Sequence, residues 1–368
     1  MSRVLDLFLE LAAIPSPPGE ERAVADRVTE ELRSLGLDVD EDETGPSIGS
    51  TMGNLYTRLE PAGDGTPIFL CAHLDTVPPE GPIEPVVEDG VVRNAAGTIL
   101  GADNKAAVAA IVEAARRVSS EGMPHAGLEL VFTAKEEVGL RGAYAFDHTR
   151  LHAELGYVYD QAAPIGEIII GAPWAASLEV AFRGSPAHAG MYPEEGRSAI
   201  AAAARAIADL RLGRIDEETS ANVGVIEGGT ARNIIPEHCT VKAEARSHDE
   251  AKLADVVREM EEAFAFAAAL GECEVETLID RSYRGYRFRK DEPAVALAGR
   301  ALEHCGFTPS YALTGGGADA NVFNERGIPC VTLANAMAEI HTPDEHIAVA
   351  DLEAMVDVSL ALLDVALA

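Results

Sequence analysis

The sequence predicts an α/β protein, a mixed sheet flanked by helices, interrupted by an inserted α+β domain of four antiparallel strands and two helices. Three observations predict it. Short continuous apolar runs, PIFLCAHL at 67–74 and LELVFT at 128–133, read as strands buried on both faces. They alternate with segments of helical periodicity, which is the pattern of a sheet covered by helices. From about residue 177 the texture changes to apolar/polar alternation, the mark of strands with one wet face.

Residues 4–13 and 21–35 carry apolar positions at helical spacing, and the first of these ends at Pro15. The buried strand 67–74 follows. KAAVAAIVEAARRV at 105–118 reads as a strong helix, 128–133 as a second buried strand and 156–159 as part of a third. SLEVAFRG (177–184), CTVKAEARS (239–247) and 273–279 read as strands of the insert, with helices at 198–210 and 249–270. The chain then returns to α/β character: a helix at 294–305, an apolar strand at 330–333 and a closing helix from Asp351. The expected boundaries are therefore 1–174 and 287–368 for a split first domain and 175–286 for the insert.

Composition narrows the function. With 368 residues, 47% hydrophobic and 24% charged, the chain reads as an enzyme-sized globular body. Its 29 Lys plus Arg against 61 Asp plus Glu give a net charge of -32, which repels phosphate backbones and anionic membrane surfaces. Neither nucleic acid nor membrane is an expected partner. Acidic residues inside the N-terminal apolar stretch argue against a secretory leader, and five scattered cysteines without a C-x-x-C pair read as reduced thiols. A cytoplasmic location is the expectation.

Chemistry enters where the buried strands end. In AHLDTVP, period-2 geometry puts His73 and Asp75 on one side of a strand end, a spacing that suits a metal ligand and the group that orients it. In GADNK, Asp103 immediately precedes a helix, where backbone N–H groups favour an anion. The glycines of 97–105 imply close approach of the backbone to something. A phosphate loop is excluded, because no Lys-Ser or Lys-Thr follows the second glycine. KEEVG carries Glu136 and Glu137 to the sheet edge directly after 128–133, and their repulsion calls for a cation. Asp160 closes YVYD after the third strand. Open α/β sheets bind ligands at the carboxyl ends of their strands, where these residues gather. His341, in EIHTPDE, lies in a loop before the last helix. Alone, each has a bland account as surface histidine, helix cap or turn aspartate.

Taken in order, HLDTVP, GADNK, KEEVG, YVYD and EIHTPDE resemble the co-catalytic zinc peptidases that include peptidase T, carboxypeptidase G and the aminoacylases, over nearly the whole chain. GGGADAN at 315–321 together with EIHTPDE is most similar to peptidase T-like members. The resemblance implies a zinc-exopeptidase-type catalytic domain with a lid that mediates homodimers. It implies two Zn2+, with Mn2+ or Co2+ as alternatives: His73 and Asp160 on one ion, Glu137 and His341 on the other, Asp103 bridging both. Asp75 is then implied to orient His73, and Glu136 to be the general base for a hydroxide held between the metals. A cis peptide between Asp103 and Asn104 is implied as well. In the lid, His188 of GSPAHAG, Asn233 of GGTARNIIP and Arg246 of EARS match positions that meet substrate. The substrate class implied is short peptides. Aspartate at 160 favours an aminopeptidase, with an N-acyl-amino-acid amidohydrolase, a carboxypeptidase or an inactive peptide-binding relative as the alternatives.

Overall fold

Four parallel strands form the centre of the larger sheet, in the spatial order Leu128–Thr133, Ile68–His73, Leu155–Tyr159, Cys330–Leu333. Every residue in them is buried. A computed structural model describes residues 2–368 and divides them into two compact units. The first runs up to Gly171 and resumes over Arg287–Thr314 and Ala318–Ala368; the second comprises Ala172–Tyr286 with Gly315–Gly317.

In the first unit the central strands belong to a nine-stranded mixed sheet. Val39–Glu41 and Leu55–Leu59 extend one side antiparallel, and Glu167–Ala172 continues the other side, antiparallel to Cys330–Leu333. The apolar runs are unbroken because both faces are covered. Ile68, Leu70 and Ala72 join the main core with the helices Arg3–Ala12, Ala102–Glu121, Pro293–His304 and Val349–Val365. On the other face Phe69 meets Phe323 of the short helix Asp319–Glu325, ring centroids 4.6 Å apart.

Gly156 lies on the central strand Leu155–Tyr159, against the Phe69 ring and Cys330. A Cβ there would fall 2.1 Å from the Phe69 ring and 2.9 Å from Cys330 Sγ, both fully buried. Gly156→Ala is expected to destabilise the protein by about 1–3 kcal/mol through overpacking, read as a drop in melting temperature.

A small sheet escaped the pattern reading. Val91–Asn94 pairs antiparallel with both Pro85–Glu88 and His346–Ala348, joining two segments more than two hundred residues apart in sequence. The second unit is a five-stranded antiparallel sheet covered by the helices Ala199–Asp209 and Glu250–Leu270. The helices start where their caps dictate: Ser198 accepts from the Ala201 amide, and Asp249 from those of Ala251 and Lys252. Of the five strands, Trp174–Arg183, His238–Ser247 and Glu274–Tyr283 lie where three were expected, and Thr219–Gly228 is the fourth, which the expected count of four left unplaced. The fifth is the two-residue Gly213–Arg214, too short for periodicity to register. Thr219–Gly228 also left no alternating signature, because most of its length is exposed. All five cysteines are free, and among the described residues no helix is long and apolar enough to cross a membrane.

Candidate metal centre

The ends of the central strands, together with two loops, build the site in the first unit. His73 is the last residue of Ile68–His73, and its ring is buried. Nδ1 donates to the main-chain carbonyl of Asp75 at 2.8 Å, with the Asp75 carboxylate farther off at 3.5 Å. The spacing of His73 and Asp75 predicts the Asp75 side chain as the orienting acceptor; the main-chain carbonyl is the nearer partner. A proton on Nδ1 leaves the Nε2 lone pair facing Asp103 Oδ1 at 3.2 Å and Asp160 Oδ1 at 3.9 Å. Nε2 facing two carboxylate oxygens calls for a cation between them, a proton or a metal ion; against the cost of burial, the bond to Asp103 raises the ring's proton affinity well above the usual histidine range.

The Asp75 carboxylate is spent on the next loop. It accepts from the amides of Glu136 and Glu137 at 2.9 and 3.1 Å, which fixes the turn after Leu128–Thr133. Glu137 Oε1 and Asp103 Oδ2 then lie 3.1 and 3.2 Å from His341 Nε2. The two oxygens of Asp103 thus face two different imidazoles. Asp103 and Asn104 depart from helical angles within Ala102–Glu121, and the peptide bond between them is cis. Asn104 donates to the carbonyl of Tyr159, tying this turn to the strand that presents Asp160.

Ligand atoms fall into two groups, His73 with Glu136 and Asp160, and His73 with Asp103 and Glu137, each within 4.8 Å of one another. Crowded carboxylates inside the protein distort one another's titration. Burial, reinforced by Asp160, pushes Glu136 well above the usual glutamate range; burial and Asp103 do the same to Asp160. Asp103 goes the other way, held low despite burial by its bonds to His341 and His73. His341 is raised to about 10 by Asp103 and Glu137. Excess negative charge, two imidazole Nε2 atoms turned toward carboxylate oxygens and an all-nitrogen-and-oxygen donor set fit divalent metal ions of the zinc, manganese or cobalt type.

Two buried carboxylates at this site were not singled out from sequence. Glu345, 2% exposed, accepts from the amides of Leu100 and Gly101, both at 2.8 Å, and of Asp103 at 2.9 Å. The glycines of 97–105 signalled a close approach, and the Glu345 carboxylate is what approaches. Asp319, of the GGGADAN run, accepts from Thr133 Oγ1, and its Oδ1 is buried without a partner among the described residues. Burial pushes it up to about 6.

The three lid residues lie in the second unit. His188 and Asn233 sit on neighbouring segments: His188 bridges Ile234, and the Ala189 amide donates to the Asn233 carbonyl at 3.0 Å. Both are exposed. His188 Nδ1 accepts from the amides of Gly190 and Met191 at 3.2 Å, which places the ring proton on Nε2. Arg246, on His238–Ser247, donates to Glu244 Oε2 at 3.0 Å and to the Gly315 carbonyl at 3.2 Å.

Residues 69–364 match the model of peptidase family M20/M25/M40. The crystal structure of aminopeptidase PepT from Bacillus cereus superposes with a TM-score of 0.88 at 39% identity, covering 99% of this chain and 98% of that one. A tripeptidase from Staphylococcus aureus gives 0.93 at 34% identity with the same coverage. The uncharacterized protein YqjE of Bacillus subtilis is 39% identical over 364 residues, 98% of each chain. The chain belongs to peptidase family M20/M25/M40 and, within it, is peptidase T-like.

Proposed function

We propose that the chain is a dinuclear metallo-aminopeptidase that releases the N-terminal residue of short peptides such as tripeptides. One observation carries this reading: the oxygens of Asp103 face His73 on one side and His341 on the other, as a carboxylate shared between two ions must. His73 and Asp160 then complete one coordination set, Glu137 and His341 the other. Zn2+ suits both, and Mn2+ or Co2+ are compatible. When bound, such a pair polarises the scissile carbonyl and brings a water to a pKa of about 7.

The remaining steps fall to the chain's own side chains. Glu136 stands among the same donors, and its raised affinity for protons suits a base that takes a proton from water and returns it to the leaving nitrogen. Asp75 orients His73 through its carbonyl and the Glu136–Glu137 turn through its carboxylate. With its proton on Nε2, His188 is a donor for the scissile carbonyl, supplied across a homodimer formed through the lid. Asn233 and Arg246 hold the substrate carboxylate, and Arg246 Nε is a buried donor with no partner among the described residues. Similarity to aminopeptidase PepT and to a tripeptidase supports the substrate class. The net charge of -32 argues against nucleic-acid and membrane-surface partners, and five free cysteines suit a reducing, cytoplasmic setting.

Protein stripped with a chelator and reloaded with Zn2+, Mn2+ or Co2+ should release the N-terminal residue from free tripeptides and leave their N-acetylated forms intact. Release of acetate from N-acetyl amino acids, with tripeptides untouched, would replace this reading by a deacylase. Release of the C-terminal residue would replace it by a carboxypeptidase.

A further inference from the structure

We propose that Glu345 is a positioning residue for the metal pair, fixing the turn at 100–103 so that Asp103 offers one oxygen to each side. This rests on the dinuclear reading above. Three amides of that turn converge on a single carboxylate: Oε2 accepts from Leu100 and Gly101, Oε1 from Asp103. Successive N–H groups aimed at one point form an anion-binding concavity, and here the anion is built into the chain. It comes from 242 to 245 residues away, so local sequence does not hold the turn in place.

The residues carrying Glu345 hold Asp103 a second time. His341 lies four positions earlier on the same turn, which is closed by the Thr342 hydroxyl donating to the Glu339 carbonyl and by the Glu345 amide donating to that of Thr342. One five-residue segment therefore grips the Asp103 backbone through Glu345 and the Asp103 side chain through His341. The small sheet sets the spacing of the two partners. His346, next to Glu345, pairs with Arg93 in the strand that leads into the 97–103 loop. A shift of more than about 0.5 Å at the amides would carry both Asp103 oxygens out of the geometry a metal site tolerates.

Glu345→Gln isolates the effect. Its carbonyl oxygen can still accept from Leu100 and Gly101, but its NH2 then opposes the Asp103 amide, donor against donor. Chelator-stripped wild type and variant are titrated calorimetrically with Zn2+ at a temperature where both are folded by circular dichroism. The expected result is about 10–100-fold weaker binding of Zn2+ by the variant. Its tripeptidase kcat should be low at equimolar Zn2+ and recover in excess Zn2+, with KM little changed. A residue that merely stabilised the fold would move the melting temperature without this metal-dependent rescue. Should the variant not fold, hydrogen exchange on metal-free wild type decides. Slow exchange in a peptide spanning 97–105 supports the proposal, and exchange as fast as in open loops overturns it. Two Zn2+ bound by the variant with wild-type affinities overturns the role of Glu345 alone. Fewer than two Zn2+ bound by the wild type overturns the dinuclear reading and this inference with it.

Discussion

Asp103→Ala is expected to abolish peptidase activity, lowering kcat/KM by more than about 10³-fold, beyond the loss that follows removal of a single electrostatic donor at an active site. The size follows from position. Among the described residues, Asp103 is the one whose carboxylate lies within hydrogen-bonding distance of both His73 and His341. Without it His73 keeps Asp160 at 3.9 Å, and His341 keeps Glu137 at 3.1 Å. Two partial donor sets remain, with nothing shared between them. Metal content measured by elemental analysis should fall below two ions per chain, and added metal should not restore the rate. Asp103→Asn is the sharper control. It preserves shape but replaces one oxygen by an NH2 that cannot ligate, so one ion should be retained and activity should still collapse. A variant that binds two ions with wild-type affinity would show that Asp103 is not the shared ligand.

How much of this was legible in the sequence depends on the range of the interactions. His73, Glu136, Glu137 and Asp160 follow strands whose continuous apolar runs stand out, and a buried parallel strand can only deliver its next residues to the sheet edge. His341 and Asp103 are different. Neither follows such a strand directly, and only the resemblance to zinc peptidases joined them to the rest. Glu345 lies within EIHTPDE, but a glutamate in a loop has no periodicity and its partners lie beyond any window of local reading. Thr219–Gly228 was missed for a related reason: alternation reports one buried face, and this strand buries little. What the sequence hides is what long-range packing decides.

Glu136→Gln is expected to leave both metal sites occupied while reducing kcat by about 10²–10⁴-fold, the range of a lost general base, with KM nearly unchanged. Glutamine matches glutamate in size, and the amide of residue 136 would still donate to Asp75, so the turn that presents Glu137 is retained. What disappears is the ability to accept a proton from water. The pH profile tests the same group. Burial and the nearby Asp160 raise the Glu136 carboxyl well above the ordinary glutamate range. Only the ionised form can act as a base, so kcat/KM of the metal-loaded wild type should fall as pH drops through the pKa of this carboxyl. In Glu136→Gln this limb should vanish from the residual rate. A variant that loses metal in step with activity would make Glu136 a ligand, consistent with its place beside His73 and Asp160. Retained metal with lost turnover assigns the proton transfer to it.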